Sequence, residues 1–480
     1  MYQKTEDQLQ FEDFYLPFGG RLRSGNRWIQ LAKLLPWAKL EEQYAANFAK
    51  SGMGAPAKPV RMALGALIIK EKCGFTDEET VEQIRENPYL QYFIGLPEYQ
   101  DEPPFEASMM VHFRKRFGLN DLMAINELIC EEKPSKEAKH RDDQGPDNPE
   151  GGSNAGHLIL DATCAPADIR YPTDLSLLNE GREKLERIID ALYGTQKGNI
   201  DKPRTYRKKA RKDYLKTAKM RKARMKTLRK AIGKQLRYVA RDLRAADSLL
   251  EQVSIETLTS RQRQWLETIR RLYDQQKAMY ETNTHSIENR IVSISQPHIR
   301  PIVRGKAGAE CEFGAKLSIS LVNGYARIER LSWDNYNESS GFRKQVEAYL
   351  SRNGCYPAAI SADQIYRNRE NIRYCKEHGI RLSGPRLGRP QQVTKEQKRL
   401  TQRDNRIRNA VEGKFGEGKR RYGLGRIMSK LKETGECEIG LQFLVMNLEH
   451  RLRLLFCHFF ETLFLSMERL IFRRNLAFMA

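Results

Sequence analysis

Over residues 1 to about 130, apolar and polar positions read as short helices of a compact region, joined by tight turns. Arg61 to Lys72 predicts an apolar-rich helix ending at Cys73-Gly74. Thr76 then caps a second helix, with Glu79 three residues later completing a capping box. That helix stops before Pro88, because the residue preceding a proline avoids helical geometry. Another helix starts at Ser108 and carries His112, Arg114, Lys115 and Arg116. Residues 1–131 therefore read as an all-α domain. It is either a plain bundle or a helix-turn-helix module in which Arg114, Lys115 and Arg116 meet DNA phosphates.

Residues 132–156 are polar and rich in Pro, Gly and Asn, the composition of a linker at a domain boundary. Beyond them the period falls to two. Leu158-Ile159-Leu160 is a short strand ending in Asp161. Lys316 to Leu331 alternates through Asn323-Gly324, a hairpin that sets Leu321 opposite Ala326 and Ile319 opposite Ile328. A helix from about Ser339 to Ser351 follows, then the strand Ala358 to Ala362, ending in Asp363. A helix near Asn368 to His378, a short strand at Ile380 to Leu382, the loop GPRLGRPQQ and a long basic helix near Lys395 to Lys419 come next. The order predicts an α/β core, a mixed sheet flanked by helices, over residues 157–450. The stretch Leu454 to Phe472 is apolar but broken by His458, Glu461, Glu468 and Arg469. Residues 451–480 are therefore expected to be amphipathic helices and not a membrane span.

Charge changes this picture. The 480 residues carry 83 Lys and Arg against 61 Asp and Glu, a formal charge of +22 that favours a polyanionic partner, nucleic acid first. The excess is dense inside an insertion at about residues 180–300, where KPRTYRKKARKDYLKTAKMRKARMKTLRK predicts basic helix. Arg207, Lys208 and Lys209 are its candidate phosphate contacts, with a coiled-coil arm for self-association as the competing use. The eight cysteines form no C-x-x-C pair, which points to reduced, packed thiols. The polar start MYQKTEDQLQ does not read as a secretory signal.

Two strands that each deliver an aspartate, Asp161 and Asp363, are the first chemical candidates, since sheets of this kind present ligands at strand ends. Paired carboxylates repel unless protonated or bridged by a cation, and Mg²⁺ is the natural bridge. A turn or capping aspartate is the competing reading of each. In the basic helix, Arg408, Glu412 and Lys419 stand at i, i+4 and i+11. Their offsets are roughly 0°, 40° and 20°, one stripe, while Glu417 falls about 180° from Arg408. Glu412 is therefore the candidate third ligand, and Arg408 and Lys419 candidate phosphate contacts, with a surface salt-bridge stripe as the bland alternative. Asp168 and Asp174 are expected in the loop after the first strand, away from any metal. Gly413 to Lys419 imitates a phosphate-binding loop, but Arg420 stands where a Ser or Thr is needed and no strand precedes it.

Taken in order, several blocks resemble one family. FEDFYLPFGGRLRSGNRW, RMALGALIIKEKCGFTDEETVEQIRENPYLQYFIGL and HFRKRF resemble the amino-terminal domain of bacterial insertion-sequence transposases of the DDE type, in the insertion-sequence-five-like group. LILDATCAPADIRYPTD is similar to that group's first-aspartate block, and ISADQIYRNRENIRYC to its second. Its third block, Tyr-x2-Arg-x3-Glu-x6-Lys, matches at Arg408, Glu412 and Lys419 and departs at Asn405, where Tyr is expected. VRGKAGAECEFGAK and WDNYNES are similar to further family stretches.

The resemblance implies a ribonuclease-H-like catalytic core and phosphoryl transfer on double-stranded DNA, both transposon ends and target. It implies two Mg²⁺ ions, with Mn²⁺ able to substitute. Asp161 would bridge both, Asp363 and Glu412 would hold one each, and Lys316 would join Arg408 and Lys419 on phosphates. It also implies a homodimer assembled on DNA, a bacterial cytoplasmic, nucleoid-associated location and no membrane. A nuclease on the same fold that never joins strands, or a basic nucleic-acid-binding protein without catalysis, fits the same residues.

Overall fold

The computed structural model describes residues 10–46, 48, 56–130, 154–198, 200–306, 309–384, 387–388 and 394–479. The polar start, nearly all of the expected linker and much of the Gly/Pro/Arg loop lie outside the described residues.

The amino-terminal helices are α1 (Arg27–Leu34), α2 (Trp37–Ala46), α3 (Val60–Cys73), α4 (Asp77–Glu86), α5 (Pro88–Phe93), α6 (Met109–Arg116) and α7 (Leu119–Cys130). The first ten residues of α3 are buried. Even Arg61 is covered, because its guanidinium donates to the carbonyls of Phe93 (3.1 Å) and Tyr92 (2.8 Å). Gly74, at φ 71, ends α3 in the left-handed conformation that glycine adopts without strain. Thr76 caps α4, accepting the Glu79 amide at 3.1 Å, but the expected capping box forms only by half. The Glu79 carboxylate instead accepts from Gln83, one turn along.

The sheet is built from β1 (His157–Pro166), β2 (Arg300–Lys306), β3 (Ala309–Val322), β4 (Tyr325–Ser332), β5 (Ala359–Ala362) and β6 (Arg381–Leu382). Among the described residues the order is β2–β3–β1–β5–β6, with β4 also paired to β3. β1 is antiparallel to β3 and parallel to β5, and β5 is parallel to β6, a mixed ribonuclease-H-like sheet. Leu321 faces Ala326 and Ile319 faces Ile328, the register expected from Asn323-Gly324. Those two turn residues have φ of 51° and 81°, as a two-residue hairpin requires.

The helices between β1 and β2 are α8 (Asp174–Gly194), α9 (Arg207–Ala218), α10 (Met225–Leu250) and α11 (Ser260–Thr282), which pack on one another around a core of their own. After the hairpin come α12 (Phe342–Asn353), α13 (Arg369–Glu377), α14 (Lys395–Arg421) and α15 (Lys432–Met479).

Three expectations are corrected. β1 does not end at Asp161, because β3 continues to pair with it as far as Pro166 opposite Gly314. Asp174 is the first residue of α8, capped by Thr173, and not a loop residue. The segment after 450 is no separate set of helices, since α15 already begins at Lys432 and runs through it. The first half of α15 is buried against α1, α3, α6, α7 and β4, so the amino-terminal helices and one face of the sheet share a single hydrophobic core. Asn447 seals this junction, accepting from the Ala326 amide (2.9 Å) and donating to Asn126 (2.7 Å) and to the Ala326 carbonyl (2.7 Å).

Candidate active site

The register of β1 and β5 brings the two aspartates together. Leu160 pairs with Ala362, the last residue of β5, so Asp161 and Asp363 are the next residues on neighbouring strands. Such strands lie about 4.8 Å apart. Here the strands part: β1 continues along β3, while β5 turns into the short 3-10 helix Gln364–Tyr366, which Asp363 caps. The fork opens a cleft of about 930 Å³ that Asp161, Asp363, Glu412, Arg408, Lys419 and Lys316 all line. α14, which packs on β1 and β5, supplies the second wall. Its apparent phosphate-loop glycines are helical residues.

The site is electrostatically loaded. Burial pushes the Asp161 carboxyl up to about 6, helped by the charges of Asp363 and Glu338, against lowering by the Ala162 amide and Arg408. Oδ1 of Asp161 accepts the Ala162 amide at 2.7 Å. Oδ1 of Asp363 accepts the Gln364 amide and Nη1 of Arg408, each at 2.9 Å. Glu412 is exposed and makes no hydrogen bond or ion pair among the described residues. The carboxylates line one cleft without meeting at one point: among the described residues, no three His, Cys, Asp or Glu side chains are grouped tightly enough to hold an ion. The donor chemistry nonetheless fits a hard divalent cation, because these are carboxylate oxygens and a cation relieves the repulsion that raises Asp161.

Residues 360–449, from β5 through Asp363, Arg408 and Glu412 into α15, match the family described as the transposase DDE domain. Residues 17–116 match a second family, described as a transposase domain. A Rhizobium meliloti protein, described as uncharacterized protein ORF8 in nfe locus, is 34% identical over 159 residues, which are 33% of this chain and 70% of that relative.

The chain belongs to the DDE transposase family.

That family comprises nucleic-acid-transferring enzymes that act on DNA with divalent metal. No solved structure matches the chain at a significant level. Among the described residues, no helix is long and apolar enough to cross a membrane.

The other expected contacts of this transposase lie elsewhere or are engaged. Lys316 lines the cleft but is buried, its Nζ 2.9 Å from Glu338 and donating to the Tyr336 carbonyl at 2.9 Å. Arg114, Lys115 and Arg116 do not line it. Arg114 is a strut between α6 and α4, bonded through both terminal nitrogens to Asp77 at 2.8 and 2.7 Å. Arg116 donates to the Tyr44 hydroxyl at 3.1 Å, and Lys115 is exposed. Arg207 binds Asp190 through two 3.0 Å hydrogen bonds, while Lys208 and Lys209 point to solvent away from the cleft. Asp168 pairs with Arg426, and Asp174 accepts from Arg290 at 2.6 Å, so neither lines the cleft.

Sequence reading misses Glu338, Asn335 and Tyr336, which form the rim of the cleft beyond β4. The stretch WDNYNES that holds them resembles the family without suggesting a role, and only the Lys316–Glu338 pair reveals one.

Proposed function

We propose that this cleft cuts DNA at the ends of an insertion sequence and joins the freed 3′-hydroxyl to target DNA. The observation that carries the reading is the convergence of three acids, from β1, the end of β5 and α14, on one cleft that also presents Arg408 and Lys419. Asp161, Asp363 and Glu412 would hold magnesium, with manganese as a substitute. Two such ions, when bound, supply an activated water or 3′-hydroxyl and a stabilised leaving oxygen.

The rest falls to the chain itself. Asp161 would act as a ligand in its ionised form, which burial, by pushing its carboxyl up to about 6, disfavours only at mildly acid pH. Arg408 must release Asp363, and its place beside Lys419 directs it to the phosphate being transferred. Lys316, neutralised by Glu338, acts through its fixed position at the rim and not as a mobile phosphate hook. Ile302, Ile365 and Phe415 give the cleft apolar wall that excludes water around the reacting groups. Two ends must be handled together, which calls for two copies assembled on DNA.

The test is Mg²⁺- or Mn²⁺-dependent cleavage of a DNA end by the parent and by Asp161→Ala, Asp363→Ala and Glu412→Ala, followed by joining of a pre-cut end to a plasmid. Loss of both activities in all three variants is expected. Variants that cut like the parent would overturn the site, and cutting by the parent without joining would replace the transposase reading by a nuclease.

A further inference from the structure

We infer that the α9–α10 hairpin is a sequence-independent DNA-binding arm, separate from the cleft, that grips the phosphates of a duplex along the outer face of α9. This rests on the proposed function only in taking DNA as the substrate.

From Arg207 to Lys230 the chain carries thirteen Lys or Arg and one acidic residue, Asp213. Asp213 is held 3.1 Å from Lys234 and accepts from the Tyr238 hydroxyl at 3.0 Å; of the outward-facing cations only Lys209 lies near enough to feel its charge, and the rest are left unbalanced by it. α9 has two faces. Ala210, Tyr214 and Thr217 are buried toward α8 and α10, and Lys208, Lys209, Arg211, Lys212 and Lys216 are exposed. None of these five has an ion-pair partner among the described residues. Arg207 is partly exposed but is not counted with these five, because its guanidinium is engaged in anchoring α9 to Asp190 on α8.

An ordinary solvated helix face mixes charges of both signs, and an unneutralised row of one sign costs self-repulsion. A self-association surface is disfavoured for the same reason. Two such faces would repel, and the outer face of α9 offers no apolar stripe to bury. A polyanion removes the repulsion and releases counterions, and backbone contact of this kind carries no base readout. None of these lysines or arginines lines the cleft, so the arm engages duplex beyond the bases at the point of cleavage.

The experiment replaces Lys208, Lys209, Lys212 and Lys216 by Gln in the full chain, a change that keeps helix propensity at exposed positions. Equilibrium binding to a random-sequence duplex is measured across a salt series, without metal. The slope of log K against log salt is expected to shrink by about 2–4, at about 0.9 for each phosphate that is no longer neutralised. The matching four Lys→Arg changes keep the slope. A slope altered by less than about 0.5 in a variant with parental helical circular dichroism overturns the arm. So does a change confined to sedimentation, which would mark a protein–protein face. Failure of the cleft reading leaves this result untouched, because binding is scored without cleavage and Asp161→Ala retains the parental slope.

Discussion

On α14, Arg408 donates a 2.9 Å hydrogen bond to Oδ1 of Asp363, so the residue that follows β5 is tied to the helix carrying Glu412. The same guanidinium lowers the cost of charging Asp161. Arg408→Ala therefore removes a counter-charge and the proposed phosphate donor, and cleavage is expected to fall on the order of 10²-fold. Titration of Mn²⁺ by spin resonance in the absence of DNA should show binding retained or tightened, since Asp363 is then free. An unchanged cleavage rate would remove Arg408 from the reacting region.

On the proposed mechanism, Asp161, which burial pushes up to about 6, would set the pH dependence of cleavage. Only the ionised form would serve as the proposed ligand, so activity should rise with pH through about 6 and level off above it. Raising the metal concentration should move the midpoint down, because the cation competes with the proton. Glu338→Gln removes one raising charge and should move it the same way, measured as cleavage rate against pH. A flat profile from pH 5 to 8 would contradict this (about one decade of rate per pH unit is expected below the midpoint).

Glu71, half-buried on α3, is pushed up to about 8 by burial first and then by the charge of Glu438. Its folded value lies above the ordinary 4.5, so the folded state holds the proton more tightly than the unfolded chain. The stability this contributes is complete below about 4.5 and is lost as pH rises toward 8. Glu71→Gln should match the parent in Tm near pH 4 and exceed it by about 2–4 °C near pH 8, read by thermal melts. Equal melts at both pH values would refute the burial of a neutral acid there.

Two glycines should respond oppositely to alanine. A Cβ at Gly314 would meet the Ala165 carbonyl oxygen at 2.1 Å, so Gly314→Ala should destabilise by about 1–3 kcal/mol through the β1–β3 pairing. Gly413 is helical with nothing within 4 Å of its would-be Cβ, so Gly413→Ala should stabilise by about 0.5–1 kcal/mol. Denaturant melts of the pair decide the matter, and a loss at Gly413 would contradict the open surface described there.

Local chemistry makes much of this visible in the chain. The Asn323-Gly324 hairpin comes with its register because a two-residue turn permits few, and the Arg408–Glu412–Lys419 stripe follows from helical periodicity. Non-local pairing is not visible. Nothing in LILDATCAP says that β3 would hold β1 extended five residues past Asp161, and the proximity of Asp161 to Asp363 depends on a parallel register about 200 residues apart. Charge is a poor guide to availability. Arg114, Arg207 and Lys316 look alike in sequence to Lys208, yet each is occupied by an acid from a distant or neighbouring helix or loop.

α15 gives the molecule a property that its apparent division into parts conceals. Lys72 on α3 pairs with Glu449, Arg451 donates to the Ile129 carbonyl at 3.0 Å, and Asn447 reaches both α7 and β4. The amino-terminal helices thus meet the sheet through a continuous packed and hydrogen-bonded junction along α15. If those helices hold duplex and the cleft cuts it as proposed, the cut would fall at one fixed offset from the held stretch, set by this packed junction as by a ruler.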